Sequence, residues 1–112
     1  MEEEIPVYNF KKLYKDTTFN GLSFSIEKNK KALDLTDAII VLEVISSGMV
    51  VCEWSSTNGY ITITDAKKGI FEINSFIVDI PVGSYTYVIK FKIENEIFPY
   101  IKGKIVVEDL YK

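Results

Sequence analysis

The stretch Gly83-Ser84-Tyr85-Thr86-Tyr87-Val88-Ile89-Lys90-Phe91-Lys92-Ile93 decides the fold. Tyr85, Tyr87, Ile89, Phe91 and Ile93 fall on one face of an extended chain, and Thr86, Lys90 and Lys92 fall on the other. Only a pleated strand, with its period of two, sorts side chains this way. The segment is therefore a long, half-buried β-strand. Asp79-Ile80-Pro81-Val82-Gly83 leads into it as a turn.

Similar units lie on both sides. Downstream, Glu94-Asn95-Glu96 turns the chain into a final strand from Ile97 to Glu108. Pro99 has no ladder N–H, so that end is expected at a sheet edge. Upstream, Leu22, Phe24 and Ile26 alternate with Ser23, Ser25 and Glu27 before a turn at Asn29-Lys30-Lys31. Asp34-Leu35-Thr36-Asp37 then leads into Ala38 to Ile45, apolar at nearly every position. Such a strand is buried on both faces, or has one face in the core and the other in an interface. Ser46-Ser47-Gly48 turns into a strand from Met49 to Trp54, and Asn58-Gly59 has the chemistry of a hairpin turn. Tyr60 to Thr64 alternates cleanly, and Asp65-Ala66-Lys67-Lys68-Gly69 turns the chain into Ile70 to Ile77. Turn signals about every ten residues, with no helix of ordinary length, predict an all-β antiparallel sandwich of about seven strands. Its expected core includes Leu22, Phe24, Ile61, Ile63, Tyr87, Ile89, Phe91 and Ile105.

Composition narrows the function. The 112 residues are 47% hydrophobic and 26% charged, which suits one globular domain without staples. The single cysteine, Cys52, has no internal disulfide partner, so packing alone must hold the fold. Histidine is absent and every basic residue is lysine. The usual general base and the usual bidentate anion reader are thus both missing, so no catalytic residue, metal or cofactor is expected. A net charge of -3 argues against nucleic acid. The apolar run Ala38 to Leu42 is too short for a bilayer. Met1-Glu2-Glu3-Glu4 is acidic where a secretory signal is basic, so a soluble protein made in a reducing cytoplasm is expected.

Several residues invite a sharper reading. Asp34, Asp37, Asp65 and Asp79 all flank turns, where an aspartate bonds nearby backbone N–H groups, and their spacing is not that of a calcium loop. Cys52 sits in an apolar strand without a partner base, which makes it a packing or surface residue. Trp54, Tyr60, Phe98 and Tyr100 form a candidate aromatic surface for sugars or a protein, although strands favour aromatics for packing alone. Lys30-Lys31 and Lys67-Lys68 read as solvated loop tips. Lys90, Lys92, Lys102 and Lys104 fall on outward faces of the last two strands, where lysines guard sheet edges.

The domain itself is expected over residues 16–112, preceded by an N-terminal arm over 1–15. Ile5, Val7, Tyr8, Phe10, Leu13 and Tyr14 make the arm apolar, and Pro6 keeps the residue before it extended. These six residues are the candidate protein interface, docking on another subunit or a second copy. The alternative is that they cover an open end of their own sandwich. Asp79 to Tyr85 also matches the tyrosine corner of immunoglobulin-like sandwiches, in which a tyrosine hydroxyl ties back to the preceding backbone.

Four segments, read in order, carry a family resemblance. They are Lys15-Asp16-Thr17-Thr18-Phe19-Asn20-Gly21-Leu22-Ser23-Phe24, Ala32-Leu33-Asp34-Leu35-Thr36-Asp37-Ala38, Ile61-Thr62-Ile63-Thr64-Asp65-Ala66-Lys67-Lys68-Gly69, and Ile80-Pro81-Val82-Gly83-Ser84-Tyr85-Thr86-Tyr87. The set resembles small structural proteins of tailed phages and prophages, especially of gut Bacteroidales. It is also similar to the N-terminal module of phage baseplate upper proteins. The resemblance spans Lys15 to about Val107 and implies an immunoglobulin-like β-sandwich without catalytic residues, partnered by other virion proteins and localised to the virion. The long C-terminal extension of baseplate upper proteins has no counterpart after Lys112. The expectation leans to an auxiliary capsid protein, since a stand-alone sandwich with a short arm suits decoration of a lattice, with a tail or baseplate adaptor as alternative. A carbohydrate-binding module built on Trp54, Tyr60 and Tyr100 is the rival from another class.

Overall fold

Alternation of apolar and polar side chains along most of the chain leaves it one economical arrangement, sheets packed face to face. The structure, a computed structural model, describes residues 6–28 and 30–111. In chain order its strands are β1 (Leu13–Tyr14), β2 (Thr18–Phe19), β3 (Leu22–Ser25), β4 (Glu27–Lys28), β5 (Lys31–Ala32) and β6 (Ile39–Ser46). There follow β7 (Met49–Ser55), β8 (Ile61–Asp65), β9 (Ile70–Ile73), β10 (Phe76–Ile77), β11 (Gly83–Ile93) and β12 (Glu96–Glu108). A single 3-10 turn over Ala66–Lys68 is the only helical element among the described residues.

Five strands form one sheet in the order β1-β12-β11-β6-β7, and three form another in the order β3-β9-β8. Two short ladders, β10-β2 and β4-β5, complete the set. The fold is all-β and sandwich-like, as expected, but more divided than about seven strands. Phe71 of β9 meets Phe91 of β11 edge-on at 5.5 Å, and Phe24 of β3 stacks on Phe71 at 5.2 Å. The core therefore sits between the two larger sheets. Ile40, Leu42, Val44, Phe71, Ile73, Ile89, Phe91 and Ile105 have no solvent exposure. Ile61 and Tyr87 are also buried, whereas Leu22, Phe24 and Ile63 are half-buried against the same cluster.

The deciding strand, β11, lies at the centre of the larger sheet, paired antiparallel with both β12 and β6. The turn before it closes as the sequence implies: the Tyr85 hydroxyl donates to the Pro81 carbonyl at 2.6 Å. Asp34 Oδ1 accepts from the Thr36 N–H and hydroxyl, and Asp65 Oδ1 accepts from the Lys68 N–H, so these aspartates serve turns. Gly69 has φ +69, and an added Cβ would approach the Ile26 carbonyl oxygen to 2.5 Å. Only glycine fits there.

Three expectations need correction. Asn58-Gly59 does not close a hairpin: β7 and β8 belong to different sheets, and the loop crosses between them. Asn58 instead accepts from the Ser55 N–H at 2.8 Å and donates to the Glu53 carbonyl, pinning the crossing. The sheet is not wholly antiparallel, because β1 runs parallel to β12. Lys102 and Lys104 do not guard an edge, since the N-terminal segment bonds to β12 on its far side.

Candidate functional site

The apolar N-terminal segment was the leading interface candidate, and its backbone determines what it can contact. The Lys102 N–H donates to the Pro6 carbonyl at 3.0 Å, and the Tyr8 N–H donates to the Lys102 carbonyl at 2.9 Å. Phe10 N–H reaches the Lys104 carbonyl at 3.0 Å, and the Lys104 N–H reaches Asn9 Oδ1 at 3.0 Å. Leu13 then pairs with Val107. Segment 6–14 is thus an extra edge of its own sheet.

Its side chains divide accordingly. Phe10 is 8% exposed and Leu13 7%. The Phe10 ring meets Tyr87 edge-on at 5.1 Å and lies 5.8 Å from Phe19. Tyr8 is half-buried between Phe10 and Phe24. Phe10 and Leu13 are therefore core residues rather than docking residues, which corrects that part of the expectation. Val7 and Tyr14 face outward, and Ile5 lies outside the described residues.

The aromatic surface does not assemble. Trp54 is 3% exposed, its ring 4.7 Å from Phe76 and stacked on Tyr60 at 6.0 Å. Tyr100 stacks on Phe91 at 4.7 Å, with Phe98 6.1 Å beyond it. Trp54 is on β7 and Tyr100 on β12, with β6 and β11 between them. Three strand spacings put the two groups roughly 14 Å apart. Trp54, Tyr60 and Tyr100 pack at separate places on one continuous hydrophobic core, and Trp54 presents almost nothing to a ligand.

Chemistry-bearing groups are equally scattered. Among the described residues no three His, Cys, Asp or Glu side chains converge. Cys52 pairs with Val44 and is half-buried. Burial, and then the Asp79 and Glu53 carboxylates, push its thiol above the ordinary cysteine range, the reverse of nucleophile activation. The Thr36 hydroxyl and N–H hold the exposed Asp34 carboxyl below its usual range, again a turn effect.

One surface that the candidate residues missed is the outer face of the five-stranded sheet. Ile40, Leu42 and Val44 of β6 point into the core, so Ile39, Val41, Glu43 and Ile45 point out. Across the ladder, Glu53 stands opposite Glu43, Glu43 opposite Val88, and Val88 opposite Lys102. In the next row Val50 stands opposite Ile45, Ile45 opposite Thr86, and Thr86 opposite Lys104. Lys90 Nζ lies 2.8 Å from Glu43 Oε1. A shallow hollow of about 360 Å³, lined by Ile45, Ser84, Thr86, Lys104 and Val106 among others, opens on this face. Beside it β7 exposes Met49 (72%), Val50 and Val51. The sequence signal for this face was the doubly apolar run Ala38 to Ile45, half of which does lie outside the core. No protein-family model matches the chain, and no curated protein matches it.

Proposed function

We propose that this chain is a non-catalytic, immunoglobulin-like structural subunit of a tailed-phage virion, positioned as an auxiliary protein on the capsid. The immunoglobulin-like assignment rests on a five-stranded sheet facing a three-stranded one, and on the Tyr85–Pro81 tie at the mouth of the central strand. The virion assignment rests on the four-segment resemblance. The observation that carries a contact role is the placement of apolar surface. Met49, Val50 and Val51 lie exposed in succession on an edge strand, beside the half-buried outer row of β6. Surface of this kind fits contact with other proteins. Partners are accordingly other virion proteins and copies of this chain. Sugar binding loses its platform with the burial of Trp54.

Mass spectrometry and electron microscopy of particles purified from a host carrying the gene test the reading. The expected result is the chain in intact particles, with sandwich-sized density on the capsid exterior. Density at the tail or baseplate instead makes it an adaptor. Absence of the chain from clean particles overturns the proposal.

A further inference from the structure

The outer face of the five-stranded sheet carries a pattern that selects its own partner. Its two middle strands carry half-buried Val41 and Ile45 of β6 and Val88 of β11, interleaved with Thr86 and the Glu43–Lys90 ion pair. Among the described residues, the strands flanking this middle pair carry unpaired charges of opposite sign. Glu53 on β7 has no cation within salt-bridge distance among the described residues, and Glu43 opposite it already pairs with Lys90. On the other side of the middle strands, one strand in from the edge that segment 6–14 forms, Lys102 and Lys104 of β12 are exposed and likewise have no such anion among the described residues.

We propose that two copies of this chain associate through this face about a two-fold axis running along the strands. That axis lays β7 of one copy over β12 of the other. Glu53 then meets Lys102 and Lys104 of the second copy, and symmetry makes the pairing twice. Between these pairings β6 of each copy lies over β11 of the other, at the roughly 10 Å spacing of stacked sheets. Val41, Ile45 and Val88 then face Lys90, Thr86 and Glu43 of the second copy, and the two Glu43–Lys90 pairs are enclosed. A two-fold axis across the strands would instead set Glu53 over Glu53 and lysine over lysine, so charge fixes the orientation. A second copy suits the face better than an unrelated protein because both halves of the charge pattern are on one surface. Four strands of about seven residues give a total buried area near about 1,000 Å², the low end of specific interfaces. The association is accordingly weak in solution and gains strength where copies are held close together. The inference stands independently of the virion reading, since a chain absent from particles can still pair with itself.

Sedimentation equilibrium on the full chain, from about 10 μM to 1 mM, tests it, the range following from the small interface. A monomer of 12.8 kDa should give way to a dimer as concentration rises, and less so at high salt. Glu53→Lys should weaken association by about tenfold or more, as should Lys102→Glu, because each sets like charges together. The double variant Glu53→Lys with Lys102→Glu should recover most of the loss. Thermal melts of all three variants check that the exposed substitutions leave the fold intact. Wild-type monomer throughout the range overturns the proposal. So does a dimer indifferent to Glu53→Lys, or a double variant that fails to recover.

Discussion

The Tyr87 hydroxyl donates a hydrogen bond to the main-chain carbonyl of Tyr8, across 79 residues of sequence. It ties the N-terminal segment to the middle of the central strand, and it does so over Gly103. Gly103 stands opposite Tyr87 in the β11–β12 ladder, and a Cβ added there would run into the Tyr8 carbonyl. Glycine within a strand often marks such an approach of a second backbone.

Gly103→Ala should therefore destabilise the protein by about 1–3 kcal/mol, the usual cost of overpacking. Chemical denaturation measures it. The effect should largely vanish in a chain lacking Met1 to Tyr14, because the clashing carbonyl is gone, and such non-additivity is the signature of contact. Equal losses in both backgrounds would mean that Gly103 serves the strand alone.

Alkaline pH probes the same bond. Burial, and then Tyr8, raise the Tyr87 hydroxyl above its ordinary value of 10.0, so the folded protein holds that proton after the unfolded chain has lost it. The stabilisation is fully present below about pH 10 and is lost as pH rises further, since the folded state then binds more protons than the unfolded one. Denaturation midpoints should stay level from neutrality to about pH 9 and fall beyond about pH 10. Tyr87→Phe should make that fall shallower, while lowering stability at neutral pH. An unchanged slope would assign the alkaline transition to other groups.

Period-two alternation made β11 legible because one face of it is core and the other is not, and the Tyr85 turn followed from its residues. The N-terminal segment was harder to read. Its apolar residues fit a core edge and a docking arm equally well, and only long-range pairing with Lys102 and Lys104 decides between them. The mid-strand Gly103 was the available sign. Trp54 and Tyr60 misled for a related reason: aromatic side chains suit a ligand platform and a packed core alike, and burial is a tertiary fact. The outer face was half legible, since Ala38 to Ile45 has more apolar residues than one buried face requires.

Two substitutions calibrate the central strand. Phe91 has no exposed surface and lies between Phe71 and Tyr100, so Phe91→Ala should cost about 3–5 kcal/mol. Tyr85→Phe removes only the hydroxyl that reaches Pro81 and should cost about 1 kcal/mol. Urea melts separate the two readily. A Phe91→Ala loss below about 1 kcal/mol would contradict the packing, because no collapse around a fully buried ring is that complete.

Removing the N-terminal segment is the most consequential change. Deletion of Met1 to Tyr14 takes Phe10 and Leu13 out of the core, and burial of each such side chain contributes about 1.5–3 kcal/mol. It also frees the Lys102 and Lys104 main-chain groups and the Tyr87 hydroxyl. Those on β12 regain water readily. The Tyr87 side chain is 2% exposed, and the rings of Phe19 and Phe24 lose their Phe10 and Tyr8 neighbours. Against these losses stands the entropy of ordering the segment, about 1–2 kcal/mol for each backbone residue fixed, which offsets a large part of the gain. The expected net loss is several kcal/mol, read as a lower urea midpoint, together with increased binding of a hydrophobic dye. Adding the excised segment back as a peptide should restore stability in proportion to its concentration, because it binds only the folded domain. A truncated chain that melts like the full one would show that segment 6–14 leaves the sandwich in solution, returning Phe10 and Leu13 to the role of a docking arm.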